Sequence, residues 1–175
     1  MSAPEFSRTV RIDMLGAAPR ALSLEASPGE REALARRFAF VSIASLTAEV
    51  EVARRAEAIS ARGTLRASLV QSCVATGDPV EEIVEEPFEV EFRPHPETAA
   101  EEEIELGGGE LDVIFYDGAT IDVGEAVAET LSLSVEPFPR SPAAEDALRE
   151  AGVKSEEQAR EDSSPFAALK GKLGK

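Results

Sequence analysis

Apolar and polar residues alternate through the middle of the chain, and the period of that alternation lays out its elements. From Leu46, the positions Leu46, Ala48, Val50 and Val52 interleave with Thr47, Glu49 and Glu51. From Ile59, the positions Ile59, Ala61, Gly63, Leu65, Ala67 and Leu69 interleave with Ser60, Arg62, Thr64, Arg66 and Ser68. A period of two puts successive side chains on opposite faces, so both runs predict half-buried antiparallel strands. Phe88, Val90 and Phe92 continue the pattern inward, with Glu89, Glu91 and Arg93 outward. Gly63, inside the longer run, predicts a bulge or a sharp bend. Near the start, "TVRIDM" and "ALSLEA" flank "LGAAPR" and predict a hairpin or a loosely paired strand couple. "LDVIFY" predicts a later strand with Leu111, Val113 and Phe115 on one side, followed by a tight turn at Asp117 and Gly118.

Two stretches change to the helical period. Ser27-Pro28-Gly29-Glu30 offers a Ser cap, Pro at the first helical position and Glu at the third, whose side chain can return to the cap amide. A helix is expected from there to Phe38–Phe40, with Leu34, Phe38 and Val41 as its buried stripe and Glu32 paired to Arg36 on the wet side. Asp122-Val-Gly-Glu125 predicts a second capping box, followed by Val123, Val127 and Leu131 at i, i+4 and i+8. The expected fold is α+β: a curved, mainly antiparallel β-sheet or partly open barrel with two short helices and a flexible C-terminal tail. Residues 1–140 are expected to form a single domain. Residues 94–110, with two Pro, three consecutive Gly and a run of glutamates, are expected to be a mobile acidic loop, because so few large apolar residues cannot order it. Residues 141–164 are expected to be a flexible tail, and residues 165–173 a recognition segment anchored by Phe166, Leu169 and Leu173.

Composition narrows the chemistry. The 175 residues are 43% hydrophobic and 30% charged, the balance of a soluble globular protein, but Trp is absent and the core must come from aliphatic residues and Phe. With one Cys there is no intrachain disulfide, no apolar run reaches the ~18 residues of a membrane span, and "MSAPEFSRTV" lacks a signal-peptide pattern, so a cytoplasmic protein without a membrane partner is expected. The net charge of -16 is unevenly placed: residues 1–72 hold ten Arg against eight acids, and the later residues carry the excess of acid. An acidic second half argues for basic partners.

Several candidate sites follow, each with its plainer alternative. Glu81, Glu82, Glu85, Glu86, Glu89 and Glu91 form an acidic stretch that is first of all the solvent face of a strand and secondly a surface for a basic partner. Arg54, Arg55, Arg62 and Arg66, with Arg31, Arg36 and Arg37, could make a phosphate-binding patch if folding gathers them, or could be dispersed and paired with Glu49, Glu51 and Glu57. No aromatic residue is interleaved with them for base stacking. Cys73 has no second Cys to build a zinc site, and His95, between two prolines, has no orienting partner, so neither a metal nor a Cys/His nucleophile is expected. "GGGE" lacks the Lys and the following helix of a phosphate loop. No enzyme and no cofactor are expected.

Three ordered stretches carry a resemblance: "GTLRASLVQSCVATGDPVEE" (63–82), "IDVGEAVAETLSLSVEPFPRSP" (121–142) and "SPFAALKGKL" (164–173). They are similar to the YceD family of bacterial large ribosomal RNA subunit accumulation proteins. The resemblance implies a non-enzymatic factor supporting accumulation of the large-subunit (23S) ribosomal RNA. Some family members carry a second cysteine three residues after the first and a His/Cys group after the second helix, which suggests metal in those members. Here those positions read Thr76 and "PRSPAAED", so zinc does not carry over. Two routes to ribosomal RNA remain: an acidic adaptor holding a basic ribosomal protein or assembly factor, which the charge favours, or direct contact with ribosomal RNA through the arginine-bearing half.

Overall fold

The computed structural model describes residues 5–56, 58–95 and 112–154. The elements in chain order are β1 (Thr9–Arg11), a 3-10 turn (Ile12–Met14), β2 (Arg20–Glu25), α1 (Pro28–Arg37), β3 (Ser42–Arg55), β4 (Ala58–Ser72), β5 (Pro79–Pro94), β6 (Asp112–Tyr116), β7 (Thr120–Asp122), α2 (Val123–Ser134) and α3 (Ala144–Glu150). A five-stranded sheet runs in the order β2-β3-β4-β5-β6, and β1 pairs with β7 in a separate two-stranded ribbon. The pairs β2/β3 and β3/β4 are antiparallel, while β5 and β6 are parallel. The architecture is α+β with an open, mainly antiparallel sheet, and among the described residues there are three helices where two are expected.

Contacts divide the chain into two compact units, Met1–Gln71 with Glu81–Pro137, and Ser72–Val80 with Phe138–Lys175. The first unit contains the main core. The alternation predicted for β3 and β4 is what packs it: Leu46, Ala48, Val50 and Val52 lie opposite Ala67, Leu65, Gly63 and Ala61, and all but the glycine are buried. Phe88, Val90 and Phe92 of β5 join them, as do Val123, Val127 and Leu131 of α2 and Leu34 of α1. Burying a Leu, Val or Phe side chain contributes about 1.5–3 kcal/mol, so these few rows dominate the stability of the unit.

Three local expectations are corrected, and β6 gains an inner side. β1 does not pair with β2; it runs antiparallel to β7, with Val10 opposite Ile121, and β2 pairs with β3 instead. Gly63 makes no bulge, since β3 and β4 stay in register there and shift only between Ile43 and Ser45. What Gly63 permits is close approach: a Cβ would lie 2.1 Å from the Glu49 carbonyl oxygen. The stripe on α1 stops short of Val41, which is exposed, because the helix ends at Arg37 and Ala39 turns the chain with φ of 57°. In β6 the side carrying Val113 and Phe115 is the outer one, and Ile114 and Tyr116 pack against the core.

At the start of α1 the expected capping box is present: Ser27 accepts from the Glu30 amide and Glu30 accepts from the Ser27 amide. At α2 only half of it forms. Asp122 accepts from Gly124 and Glu125 amides, while the Glu125 carboxylate turns away to Arg37. Among the described residues the second unit comprises a turn and a short helix. Gly77, at φ of 77°, lets its amide return to the Cys73 carbonyl, and within the stretch expected as a flexible tail Ala144–Glu150 is helical. The expected acidic loop lies outside the described residues from residue 96 to residue 110, as do residues 155–164 of the expected tail and the whole recognition segment with Phe166, Leu169 and Leu173.

Candidate functional site: an acidic outer sheet face

Strand periodicity sorts the acidic stretch of β5. Glu81, Glu85, Glu89 and Glu91 occupy the odd positions shared with exposed Ile83 and Pro87, whereas Glu82 and Glu86 fall on the parity of buried Val84, Phe88 and Val90. Glu82 is committed to the fold: its carboxylate accepts from the Gln71 side-chain amide at 2.8 Å and from the Glu136 backbone amide at 3.0 Å, tying β4 and β5 to the exit of α2. Glu86 is exposed on that same side.

β3 adds to the outer face. Glu49 and Glu51 alternate with buried Val50 and sit opposite Thr64 and Arg62. Together with Glu89, Ala21 and Pro87 they line an open trough of about 690 Å³. The alternation of Glu49 and Glu51 with Val50 in the sequence is the signal that they share this face.

The arginines are dispersed and mostly neutralised. Arg62 pairs with Glu51 at 2.8 Å, Arg66 with Glu85 at 2.8 Å, and Arg93 with Glu91 at 2.7 Å. The neighbouring carboxylate holds the Arg62 and Arg93 guanidiniums firmly protonated. Arg36 pairs with Glu32, and Arg31 donates to the Ala26 carbonyl. Arg37 bridges Glu5 and Glu125, which raises its pKa chiefly through the Glu125 hydrogen bond. Arg54 and Arg55, at the β3–β4 turn, have opposite parity in the strand, with Arg54 opposite core Ile59 and Arg55 opposite Ala58. They have no ion pair among the described residues, and Glu57 lies outside these. The four arginines do not share one face.

Cys73 is only 3% exposed and sits at the centre of a small polar cluster in the second unit. Its Sγ accepts from the Ser141 amide at 3.2 Å, and the amide of Cys73 donates to the Asp78 carbonyl at 2.7 Å. The Thr76 hydroxyl donates to the Asp78 carboxylate at 2.7 Å and lies 3.2 Å from the Ser141 hydroxyl. The Ser141 amide first, then the Thr76 hydroxyl, bring the thiol down to about 6 against the opposing effect of burial. The residues around it do not fit a metal: one thiol stands with hydroxyls, and among the described residues no group of three His, Cys, Asp or Glu is placed to hold an ion. The Ser141 backbone amide satisfies the sulfur instead. His95 lies elsewhere, its ring stacked on Phe115 at 5.2 Å and its amide donating to the Tyr116 carbonyl.

Among the described residues no helix is long and apolar enough to cross a membrane. No curated protein and no solved structure matches the chain. The family model described as large ribosomal RNA subunit accumulation protein YceD matches residues 61–171. That span takes in β4 with Cys73, the acidic strand β5, the Asp122-capped helix and the segment around Ser141. The chain belongs to the YceD family, whose description places its members in accumulation of the large-subunit ribosomal RNA.

Proposed function

We propose that this chain acts in large-subunit ribosomal RNA accumulation as a non-enzymatic acidic adaptor, holding a basic ribosomal protein or assembly factor on the outer face of its sheet. One observation carries the reading. On the outer face of β3–β5 the carboxylates of Glu49, Glu51, Glu81, Glu85, Glu89 and Glu91 outnumber the guanidiniums of Arg55, Arg62, Arg66 and Arg93, the last three of which are already paired. Such a face attracts cationic protein and screens it from premature contact with RNA; RNA, with its higher charge density, then displaces the adaptor.

Direct RNA contact is the second reading, favoured by exposed Arg54 and Arg55, which lack an ion pair among the described residues. Purification of the tagged chain from cells at low and moderate salt, with and without nuclease, separates the two. The adaptor reading expects a protein partner that survives nuclease, leaves at moderate salt and is lost when Glu85, Glu89 and Glu91 are reversed to Lys. Retention of ribosomal RNA after protein is stripped away, abolished by reversal of Arg54 and Arg55 but not of the glutamates, would overturn it.

A further inference from the structure

β6 closes one end of the sheet order and runs parallel to β5, with Val90 opposite Asp112 and Pro94 opposite Tyr116. The His95 amide donates to the Tyr116 carbonyl at 3.2 Å, so the backbone of Asp112, Ile114 and Tyr116 turns its polar groups toward β5. The amides and carbonyls of Val113 and Phe115 point the other way, and among the described residues no strand receives them. Such a row of open donors and acceptors is a template for one more strand. The side chains agree with an uncovered edge. Val113 and Phe115 are exposed on the outer side, and Ile114 and Tyr116 stay half-buried although they pack against the core.

Connectivity selects the occupant. Because β5 and β6 are parallel, the chain that leaves at His95, beside Tyr116, has to return to the far end of β6 at Asp112, about 13 Å back at the rise of a strand. The returning segment therefore travels antiparallel to β6. Its sequence fits that course: Ile104 and Leu106 alternate with Glu103 and Glu105, and Gly107-Gly108-Gly109 stands just before β6 as a three-residue hairpin loop, whose last position favours glycine. We propose that residues 101–106 pair antiparallel with the open edge of β6, Glu103 opposite Val113 and Glu101 opposite Phe115. Ile104 and Leu106 then fall on the side of Ile114 and Tyr116, as the core side of a sheet requires, and Glu101, Glu103 and Glu105 fall on the outer side. With so few large apolar residues the segment cannot order itself, but it meets an edge already built and closes through a short loop. The added strand does not depend on the adaptor reading; where both hold, it carries the acidic outer face across to the end of the sheet.

The test uses the full chain, isotope-labelled, and a matched pair of proline substitutions. In this register the Glu103 amide donates to the Val113 carbonyl, whereas the Glu102 amide faces away from β6. Glu103→Pro and Glu102→Pro remove the same charge, but only the first removes a pairing donor. In the native chain the Val113 and Phe115 amides are expected to exchange at least about tenfold more slowly than open-chain amides. Cross-peaks are expected between the α-protons of Glu102 and Ile114 and of Ile104 and Asp112. Glu103→Pro is expected to speed exchange at Val113 by about tenfold, and Glu102→Pro to change it by less than about twofold. The Leu65 amide, in the middle of β4, should stay slow in both, which shows that the sheet itself is intact. Open-chain exchange at Val113 and Phe115 in the native chain, equal effects of the two prolines, or α-proton contacts that set Ile104 opposite Val113 would each overturn the proposal. So would protection that rises with protein concentration together with cross-peaks between differently labelled copies, which would give the edge to a second molecule. Loss of the cellular partner on reversal of Glu85, Glu89 and Glu91 tests the adaptor reading alone and leaves these exchange rates where they are.

Discussion

Asp122→Ala tests how the acidic helix α2 is joined to the N-terminal strand. One carboxylate serves four donors: Oδ1 accepts from the amides of Arg8 at 2.8 Å, Gly124 at 3.1 Å and Glu125 at 3.2 Å, and Oδ2 from the Ser7 hydroxyl at 2.5 Å. Loss of the cap alone costs about 1 kcal/mol. The two donors from β1's approach add hydrogen bonds to a charged acceptor, about 1.5–3 kcal/mol each when counted singly and less together, because the Val123 amide still reaches the Arg8 carbonyl at 3.1 Å. A total near 3 kcal/mol follows, and at about 2–4 °C per kcal/mol for a chain of this size the midpoint drops by roughly 6–12 °C.

Urea unfolding followed by circular dichroism measures this directly, with Asp122→Asn as the companion. Asn keeps an acceptor for the amides and can donate to the Ser7 hydroxyl, so it should retain about half of the stability that Ala loses. The chain's charge of -16 works against the prediction, since removing any negative charge relieves self-repulsion. A loss under about 1 kcal/mol for Ala, or no faster hydrogen exchange at Arg8, would refute the view that Asp122 clamps strand and helix together.

Gly63→Ala should cost about 1–3 kcal/mol, because its Cβ would meet the Glu49 carbonyl oxygen at 2.1 Å; Gly16→Ala, where nothing lies within 4 Å, is the control and should stay within about 0.5 kcal/mol. Both are read from urea midpoints. Cys73 gives a pH signature: its thiol falls to about 6 when folded against an ordinary 9.0, so the thiolate's contribution is complete above pH 9 and is lost as pH falls through 6. Stability should therefore rise from pH 6 to 9 in the native chain more than in Cys73→Ala, and absorbance of the thiolate should titrate near 6. Glu30, held down to about 2 mainly by the Arg8 side chain, should contribute fully at neutral pH and lose its contribution as pH falls from 4.5 through 2. Glu30→Gln should cost roughly 1 kcal/mol at pH 7 after solvent screening, and much less at pH 2, where the carboxylate is half protonated in the folded chain.

Period-two alternation made β3, β4 and the outer glutamates of β5 legible, because burial on one face leaves no freedom of register. The Ser27 cap was legible because its partners are three residues apart. What escaped depends on residues far apart in sequence. β1 is three residues long, too short to declare whether it pairs with the next strand or with Ile121. Glu82 meets Glu136 across 54 positions, Cys73 meets Ser141 across 68, and Arg37 meets Glu125 across 88, and no local pattern encodes such pairs. Which side of β6 faces inward was not legible either: on a short edge strand of a sheet with one open side, apolar character does not identify the inner face, and Ile114 and Tyr116 rather than Val113 and Phe115 pack against the core.

The same long-range pairs decide what the charge asymmetry means. Read along the sequence, the first 72 residues look mildly basic and invite an RNA contact. In the fold, Arg8 is spent on Glu30, Arg37 on Glu5 and Glu125, Arg62 on Glu51 and Arg66 on Glu85. A phosphate approaching Arg62 or Arg66 has to displace a carboxylate already within 2.8 Å and to do so beside further glutamates on the same face. Counterion release rewards only guanidiniums that are free to neutralise phosphate, so pairing removes most of that gain. A basic protein faces the opposite balance. It can bind the excess carboxylates without breaking the pairs, and its own arginines can exchange into them. Under the proposed adaptor role, the salt dependence of partner binding is therefore expected to follow the outer glutamates rather than the arginines.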